Sequence, residues 1–251
     1  MILISLMRIC SNVMKPVMGF LFLVLAAAAS AETLVFQDTF DAPDDVDVNV
    51  DLDTRQEGGA VLSDYRKGGG DASQSAIVSG QLERVGPGRL DVTTDFADRI
   101  AGKSFSISVD IQYASPGVGG WGAISLLSDT GTERALSPLS IRLQDVGAGL
   151  VVVHSGRVGE PAETQFSAAR LEALLGAPFD FAEPHNYKYV VTEGGAVDRV
   201  AFFIDGVEVP LMDDTIDFGD DTSRRINFIN TNEAATDIFY DNLALVEETV
   251  P

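Results

Sequence analysis

The sequence predicts an all-β protein, a sandwich or jelly roll of two antiparallel sheets carrying one short helix. Three observations predict it. Phe105, Ile107, Val109, Ile111 and Tyr113 alternate strictly with Ser104, Ser106, Ser108, Asp110 and Gln112, and a period of two over ten residues marks a half-buried antiparallel strand. Asp205-Gly206 lies between the apolar runs 200–204 and 207–209, where a type I′ turn with positive φ at both central residues closes a hairpin. Other short strand-like runs are joined by glycine-rich stretches, and no proline-rich linker or internal repeat divides the chain. Many short strands around one core give a sandwich or jelly roll.

Residues 1–31 read as an address. Arg8 and Lys15 precede an apolar run over 16–29, which ends in Ala29-Ser30-Ala31. A basic start, a short apolar centre and an A-x-A end mark a secretory signal peptide, and 14 apolar residues are too few to span a bilayer comfortably. Cleavage after Ala31 makes Glu32 the first mature residue and 32–251 one β-sandwich domain. Met14-Lys15 would itself open a conventional leader, so translation is expected to start at Met14 rather than Met1. No cysteine follows the run, and no later apolar segment reaches membrane length. The mature chain is therefore expected to be soluble and secreted or periplasmic, without membrane insertion.

The remaining elements follow in order. Residues 34–40 give the first strand. In 45–53, Val46, Val48, Val50 and Leu52 alternate with four aspartates and Asn49. This reads either as a calcium site, since hard cations want clustered oxygen ligands, or as a charged edge strand that repels edge pairing. The edge strand is favoured, because ligands in a line cannot wrap an ion. After the strand at 104–113, strands are predicted at 139–144, 149–154, 187–191, the 200–209 hairpin, 225–230 and 238–246. Residues 167–176 read as the one helix, with Ser167 as N-cap, Leu171, Leu174 and Leu175 as its apolar side and Gly176 as its stop. The five aspartates of 213–221 lack the EF-hand pattern and read as a solvated loop.

The 251 residues carry 38 acidic and 17 basic side chains, a formal charge of −21, with 45% hydrophobic residues. The hydrophobic fraction excludes a wholly disordered chain. The charge argues against nucleic acid as a partner, since no basic patch is visible. Removing 31 residues leaves 220, and because the leader holds two basic residues and no acid the charge becomes −23. The single cysteine, Cys10, leaves with it, so no disulfide and no Cys-rich zinc site is expected.

Three segments together resemble a known superfamily. His185-Asn186-Tyr187-Lys188-Tyr189, then Gly194-Gly195, then Phe203-Ile204-Asp205-Gly206-Val207 is similar to the central hairpin of laminin G-like and concanavalin A-like lectin/glucanase domains. Phe36-Gln37-Asp38-Thr39-Phe40-Asp41 resembles their first strand, and Phe239-Tyr240-Asp241-Asn242-Leu243-Ala244-Leu245 their closing strand. The resemblance implies a concanavalin A-like jelly-roll β-sandwich whose terminal strands are neighbours. Many such domains bind a structural calcium ion there, and the matching positions are Asp38 and Asp241. Asp241 is in phase with Phe239, Leu243 and Leu245, and a carboxylate on a core face is unfavourable unless paired or metal-bound.

Catalytic relatives of laminarinase type carry Glu-x-Asp-x-Glu along one strand, so that the two carboxylates flank the sugar bond. This chain has no such run, and Asp110 alone cannot supply the pair. Lyases of the fold use Arg, Gln, His and Tyr together. Arg142, Gln144, His154 and Tyr187 are the residues available, though their local motifs do not match. His154 and His185 are the only histidines and do not suggest a transition-metal site. For glycan binding, Trp121, the sole tryptophan, follows the glycine-rich loop 115–120, with Arg142 and Tyr113 expected on neighbouring strands. Tyr113 is also in phase with the core of its strand, and a lone tryptophan is commonly core as well. The sequence thus reads as a non-catalytic module for carbohydrate or another extracellular ligand, with Trp121, Arg142 and Tyr113 as contacts. A glycoside hydrolase or polysaccharide lyase, or a purely structural surface or matrix protein, are the alternatives.

Overall fold

The computed structural model describes residues 32–41, 58–59, 66–67, 75–84, 91–95, 103–115, 120–128, 139–155, 164–195, 197–216, 224–230 and 237–248. Residues 1–31, expected to be a signal peptide, the acidic tract 45–53, the loop 116–119 and the end of the second acidic tract lie outside these residues. Among the described residues, the strands are β1 (Thr33–Asp38), β2 (Gly58–Gly59), β3 (Arg66–Lys67), β4 (Ser75–Val78), β5 (Gln81–Arg84), β6 (Asp91–Asp95), β7 (Phe105–Ser115), β8 (Trp121–Ser128) and β9 (Leu139–Asp145). They continue as β10 (Leu150–Ser155), β11 (Thr164–Ser167), β12 (His185–Thr192), β13 (Asp198–Ile204), β14 (Val207–Val209), β15 (Thr215–Ile216), β16 (Arg224–Asn230) and β17 (Asp237–Glu247). Helix α1 (Ala168–Leu175) follows β11.

These strands form two antiparallel sheets. The first has the order β14-β13-β12-β7-β17-β1-β2, with β15 beside β13 and the β4-β5 hairpin joined through β5 to β17. The second has the order β11-β10-β9-β8-β16-β6-β3. The terminal strands β1 and β17 pair, bringing Asp38 opposite Leu243. The alternation read from the sequence becomes burial. Phe105, Ile107, Val109, Ile111 and Tyr113 of β7 face Leu139, Ile141 and Leu143 of β9 across one core. Phe36, Phe166, Phe202, Phe228 and Tyr240 fill it, each fully buried. Two hydroxyls tie the sheets together: Tyr240 donates to the Ala123 carbonyl at 3.2 Å, and Tyr189 to the Ser140 carbonyl at 2.7 Å.

Local signals were realised closely. Asp205 and Gly206 have φ of 50° and 77°, as a type I′ turn requires. Ser167 caps α1, its Oγ accepting the Arg170 N–H, and Gly176 ends the helix in the left-handed region at φ 71°. The apolar side of α1 is narrower than expected, because in a two-turn helix Leu171 alone is buried while Leu174 is exposed. No helix among the described residues is long and apolar enough to cross a membrane.

Candidate functional site: the outer face of the second sheet

Strand parity divides the second sheet into a core face and an outer face. Leu139, Ile141 and Leu143 of β9 and Ile226 and Phe228 of β16 belong to the core. Their alternates Ser140, Arg142, Gln144 and Asn227 therefore face outward. The ladders align these positions into three rows. Val151, Gln144 and Trp121 form the first, and Val153, Arg142 and Ala123 the second. Ser155, Ser140, Ser125 and Asn227 form the third. Trp121 sits directly opposite Gln144 and diagonal to Arg142, a separation of about 7–8 Å for such neighbours. Both Trp121 and Arg142 are half-buried.

The third row is polar and enclosed. Ser140, Ser125 and Asn227 are 2%, 1% and 5% exposed, and Ser125 Oγ has no hydrogen-bond partner. A buried hydroxyl without a partner is unfavourable by about 1–3 kcal/mol, so this face holds hydrogen-bonding capacity that the described protein does not use. Sequence reasoning missed Ser125, Ser140 and Asn227. In β8 the core positions include Gly122, which Ile238 and Tyr240 crowd, as well as Ile124, so the glycine interrupts the apolar alternation and weakens its signal.

Tyr113 belongs elsewhere. It lies on β7 in the first sheet and is fully buried in the core, so it is not on a strand beside Arg142. Its phase within β7, rather than its proximity in sequence to Trp121, decides its position. The four residues of the lyase-like set are likewise divided. Arg142 and Gln144 are on the outer face of the second sheet, whereas Tyr187 points into the core and His154 lies between the sheets against Tyr189. Burial, with the nearby Asp205 charge, raises the Tyr187 hydroxyl pKa far above its usual range. Asp110 is on the outer face of the first sheet, each of its oxygens taken by an asparagine: Asn186 Nδ2 at 2.7 Å and Asn242 Nδ2 at 2.8 Å.

Asp38 and Asp241 come together at the terminal strands, but Asp241 does not share the core face. Asn242 adopts φ 50° and the β17 register shifts between Asp241 and Ala244. This bulge inverts the phase, so Ile238 and Tyr240 before it and Leu243 and Leu245 after it are buried, while Asp241 is half-buried on the outer side. Burial raises the Asp241 pKa to about 6, and the nearby Asp110, Asp41 and Asp38 charges add to this against the Asn242 N–H. Asp38 is buried, with Oδ1 accepting the Phe40 N–H at 2.7 Å. It thereby holds the left-handed turn at Phe40, φ 56°. Among the described residues, no group of three or more His, Cys, Asp or Glu side chains is arranged to hold a metal ion. A calcium shell takes 6–8 oxygens, so Asp38 and Asp241 would be only part of one.

His185 caps the start of β12, with Nδ1 2.7 Å from Asp205 Oδ2, Nε2 2.9 Å from the Asp180 carbonyl and its ring stacked on Phe179. At the start of the second acidic tract, Asp213 accepts from the Thr215 hydroxyl and Asp214 pairs with Arg199 at 2.8 Å. These aspartates secure a turn into β15.

No protein-family model matches the chain, and no curated protein matches it by sequence. Solved structures share its fold. An endo-1,3-beta-glucanase from Streptomyces sioyaensis superposes with a TM-score of 0.56 at 13% identity, over 90% of this chain and 99% of that one. The carbohydrate recognition domain of Emp46p in its metal-free form gives 0.52 at 14%, over 82% and 95%. A non-specific endo-beta-1,3(4)-glucanase of family GH16 gives 0.51 at 15%, over 87% and 95%. The fold is the concanavalin A-like jelly-roll sandwich.

Proposed function

We propose that this protein is an exported, non-catalytic carbohydrate-binding module whose ligand lies on the outer face of the second sheet. The observation that carries the reading is the meeting of Trp121, Gln144 and Arg142 beside a row of buried polar side chains in which Ser125 Oγ is unmatched. An aromatic ring offers an apolar platform to a sugar ring, and the flanking amide, hydroxyls and guanidinium offer the hydrogen bonds that fix its orientation. The glucanases and the carbohydrate recognition domain that share the fold support a glycan as the ligand class.

The non-catalytic part of the reading rests on carboxylate spacing. None of the described side chains on this face is a carboxylate. Glycoside hydrolysis needs two carboxyl groups roughly 5–9.5 Å apart, and the chain has no Glu-x-Asp-x-Glu run to supply them along one strand. Export rests on the leader read from residues 1–31. A structural calcium ion beside Asp38 and Asp241 is a separate proposal, supported by the repulsion that the Asp110, Asp41 and Asp38 charges exert on Asp241. A glycan array with and without calcium tests the function. Binding without sugar release is the expected result, release of sugar would replace the module by an enzyme, and silence across the array would leave a structural protein.

A further inference from the structure

We infer that the edge of the first sheet carries a second ligand site, a cavity for a hydroxylated ligand with a protonated amine, the chemistry of an amino sugar. The site follows from a break in one strand edge. β13 pairs with β14 as far as Phe202 opposite Val209, and with β15 from Arg199 opposite Thr215. The chain over 210–214 thus stands opposite only Val200 and Ala201. Pro210 has no N–H with which to continue the ladder, and the chain leaves the sheet there as a bulge. It comes back at Asp214, whose carbonyl accepts the Val200 N–H at 2.7 Å and whose two carboxylate oxygens each lie 2.8 Å from Arg199 Nη1. Midway along the bulge, the Met212 N–H donates to Thr164 Oγ1 of the other sheet at 2.9 Å. Pinned to both sheets, the bulge walls a cavity of about 470 Å³, inside the range of roughly 300–1,000 Å³ that holds whole small ligands.

Strand parity puts Thr192, Arg199, Ala201 and Glu208 on the outer face of the first sheet, because their neighbours Val191, Val200, Phe202 and Val209 are buried in the core. These four line the cavity with Leu211 and Asp214. Ala201 keeps it open, since a longer side chain there would fill it. Arg199 is matched by Asp214, and the Asp213 charge is also close to it, so the guanidinium end does not call for an anion. Glu208 is exposed, and no cation among the described residues pairs with it. With Arg199 and Asp214 cancelling, Glu208 leaves the lining one net negative charge. Its carboxylate accepts charge-assisted hydrogen bonds from an ammonium. The Thr192 hydroxyl and the guanidinium N–H groups that Asp214 does not occupy suit neutral hydroxyl oxygens. A chain of formal charge −21 also draws a cation and repels an anion. The cavity lies across the sandwich from Trp121, so it stands apart from the glycan face proposed above.

Calorimetric titration at about pH 6.5, where an amine is protonated and a glutamate ionised, tests this with two probes. One is the glucosamine disaccharide of chitosan, and the other is cellobiose, which has hydroxyls in place of the amines. The aminated probe is expected to bind about threefold to fivefold more tightly, the scale of an exposed ion pair, and the difference should shrink as salt rises. Glu208→Gln should bring the two probes level. Ala201→Leu, which fills the cavity and keeps its charges, should weaken the aminated probe at least tenfold. On isotope-labelled protein that probe should move the amide resonances of β13 and of 208–214 and leave the Trp121 indole N–H in place. If Ala201→Leu melts early, Glu208→Gln, at an exposed position, carries the test. Equal binding of the two probes, a preference that survives Glu208→Gln, shifts centred on Trp121, or no saturable binding overturns the inference. None of these outcomes bears on the second sheet, whose probe is an amine-free glycan.

Discussion

Tyr189 and His154 form the only contact among the described residues in which an ionisable imidazole is enclosed between the sheets. The Tyr189 hydroxyl donates its hydrogen to the Ser140 carbonyl, so at 2.6 Å it must accept from Nδ1 of His154. The geometry therefore assigns the neutral Nδ1–H tautomer. Burial lowers the His154 pKa from 6.5 to about 4, partly offset by the Asp213 charge. A folded-state pKa below the unfolded one means the unfolded chain takes up the proton first. His154 then contributes stability that is complete above about pH 6.5 and is lost as pH falls towards 4, by up to about 3 kcal/mol. Denaturant unfolding across that range should show the loss in the wild type and a flatter profile in His154→Gln, and parallel profiles would refute it. In sequence His154 is a lone histidine at the end of a strand. Its partner is 35 residues away, and nothing local marks the pair.

Elements were legible wherever their determinants lie within a few residues of one another. The Asp205-Gly206 hairpin and the Ser167–Gly176 caps are of this kind, because each is specified by the φ preference or hydrogen bond of a nearby residue. The closing strand β17 is not. Its apolar residues suggest one unbroken phase, yet the left-handed Asn242 inserts a bulge that moves Asp241 off the core side. An asparagine tolerates that conformation and also reads as an ordinary exposed strand residue, so the sequence is ambiguous there. Asn242→Val should cost about 1–3 kcal/mol, from left-handed strain in a β-branched residue and loss of the hydrogen bond to Asp110. Asn242→Gly, which loses only the hydrogen bond, should cost less. Equal losses in thermal or denaturant unfolding would show that the bulge does not depend on backbone preference. Strand β8 was hidden for another reason: beside Ile124, one of its core positions is the glycine that Ile238 and Tyr240 pack against, and that cross-sheet contact has no signature in the strand itself.

At the scale of the whole molecule, the fold class was legible from alternation and turns, while the site was legible only in part. Trp121 and Arg142 were identified by residue chemistry and do share a face, but the register of β8 on β9 that joins them and the buried serine row beneath are long-range products of packing. The charge of −21 makes the folded chain repel itself, so monovalent salt should raise its melting midpoint by screening. Calcium at matched ionic strength is expected to raise it by several degrees more, by binding the folded state beside Asp38 and Asp241. A midpoint indifferent to chelator would remove calcium from the account and leave the glycan face untouched. That face has its own reporter, because Trp121 is the only tryptophan in the chain. Titrating the protein with a glycan that it binds on an array should shift the tryptophan emission saturably, with the same midpoint as the calorimetric isotherm. Calorimetric binding that leaves the Trp121 emission unchanged would put the ligand elsewhere on the molecule and contradict the assignment of the outer face as the binding site.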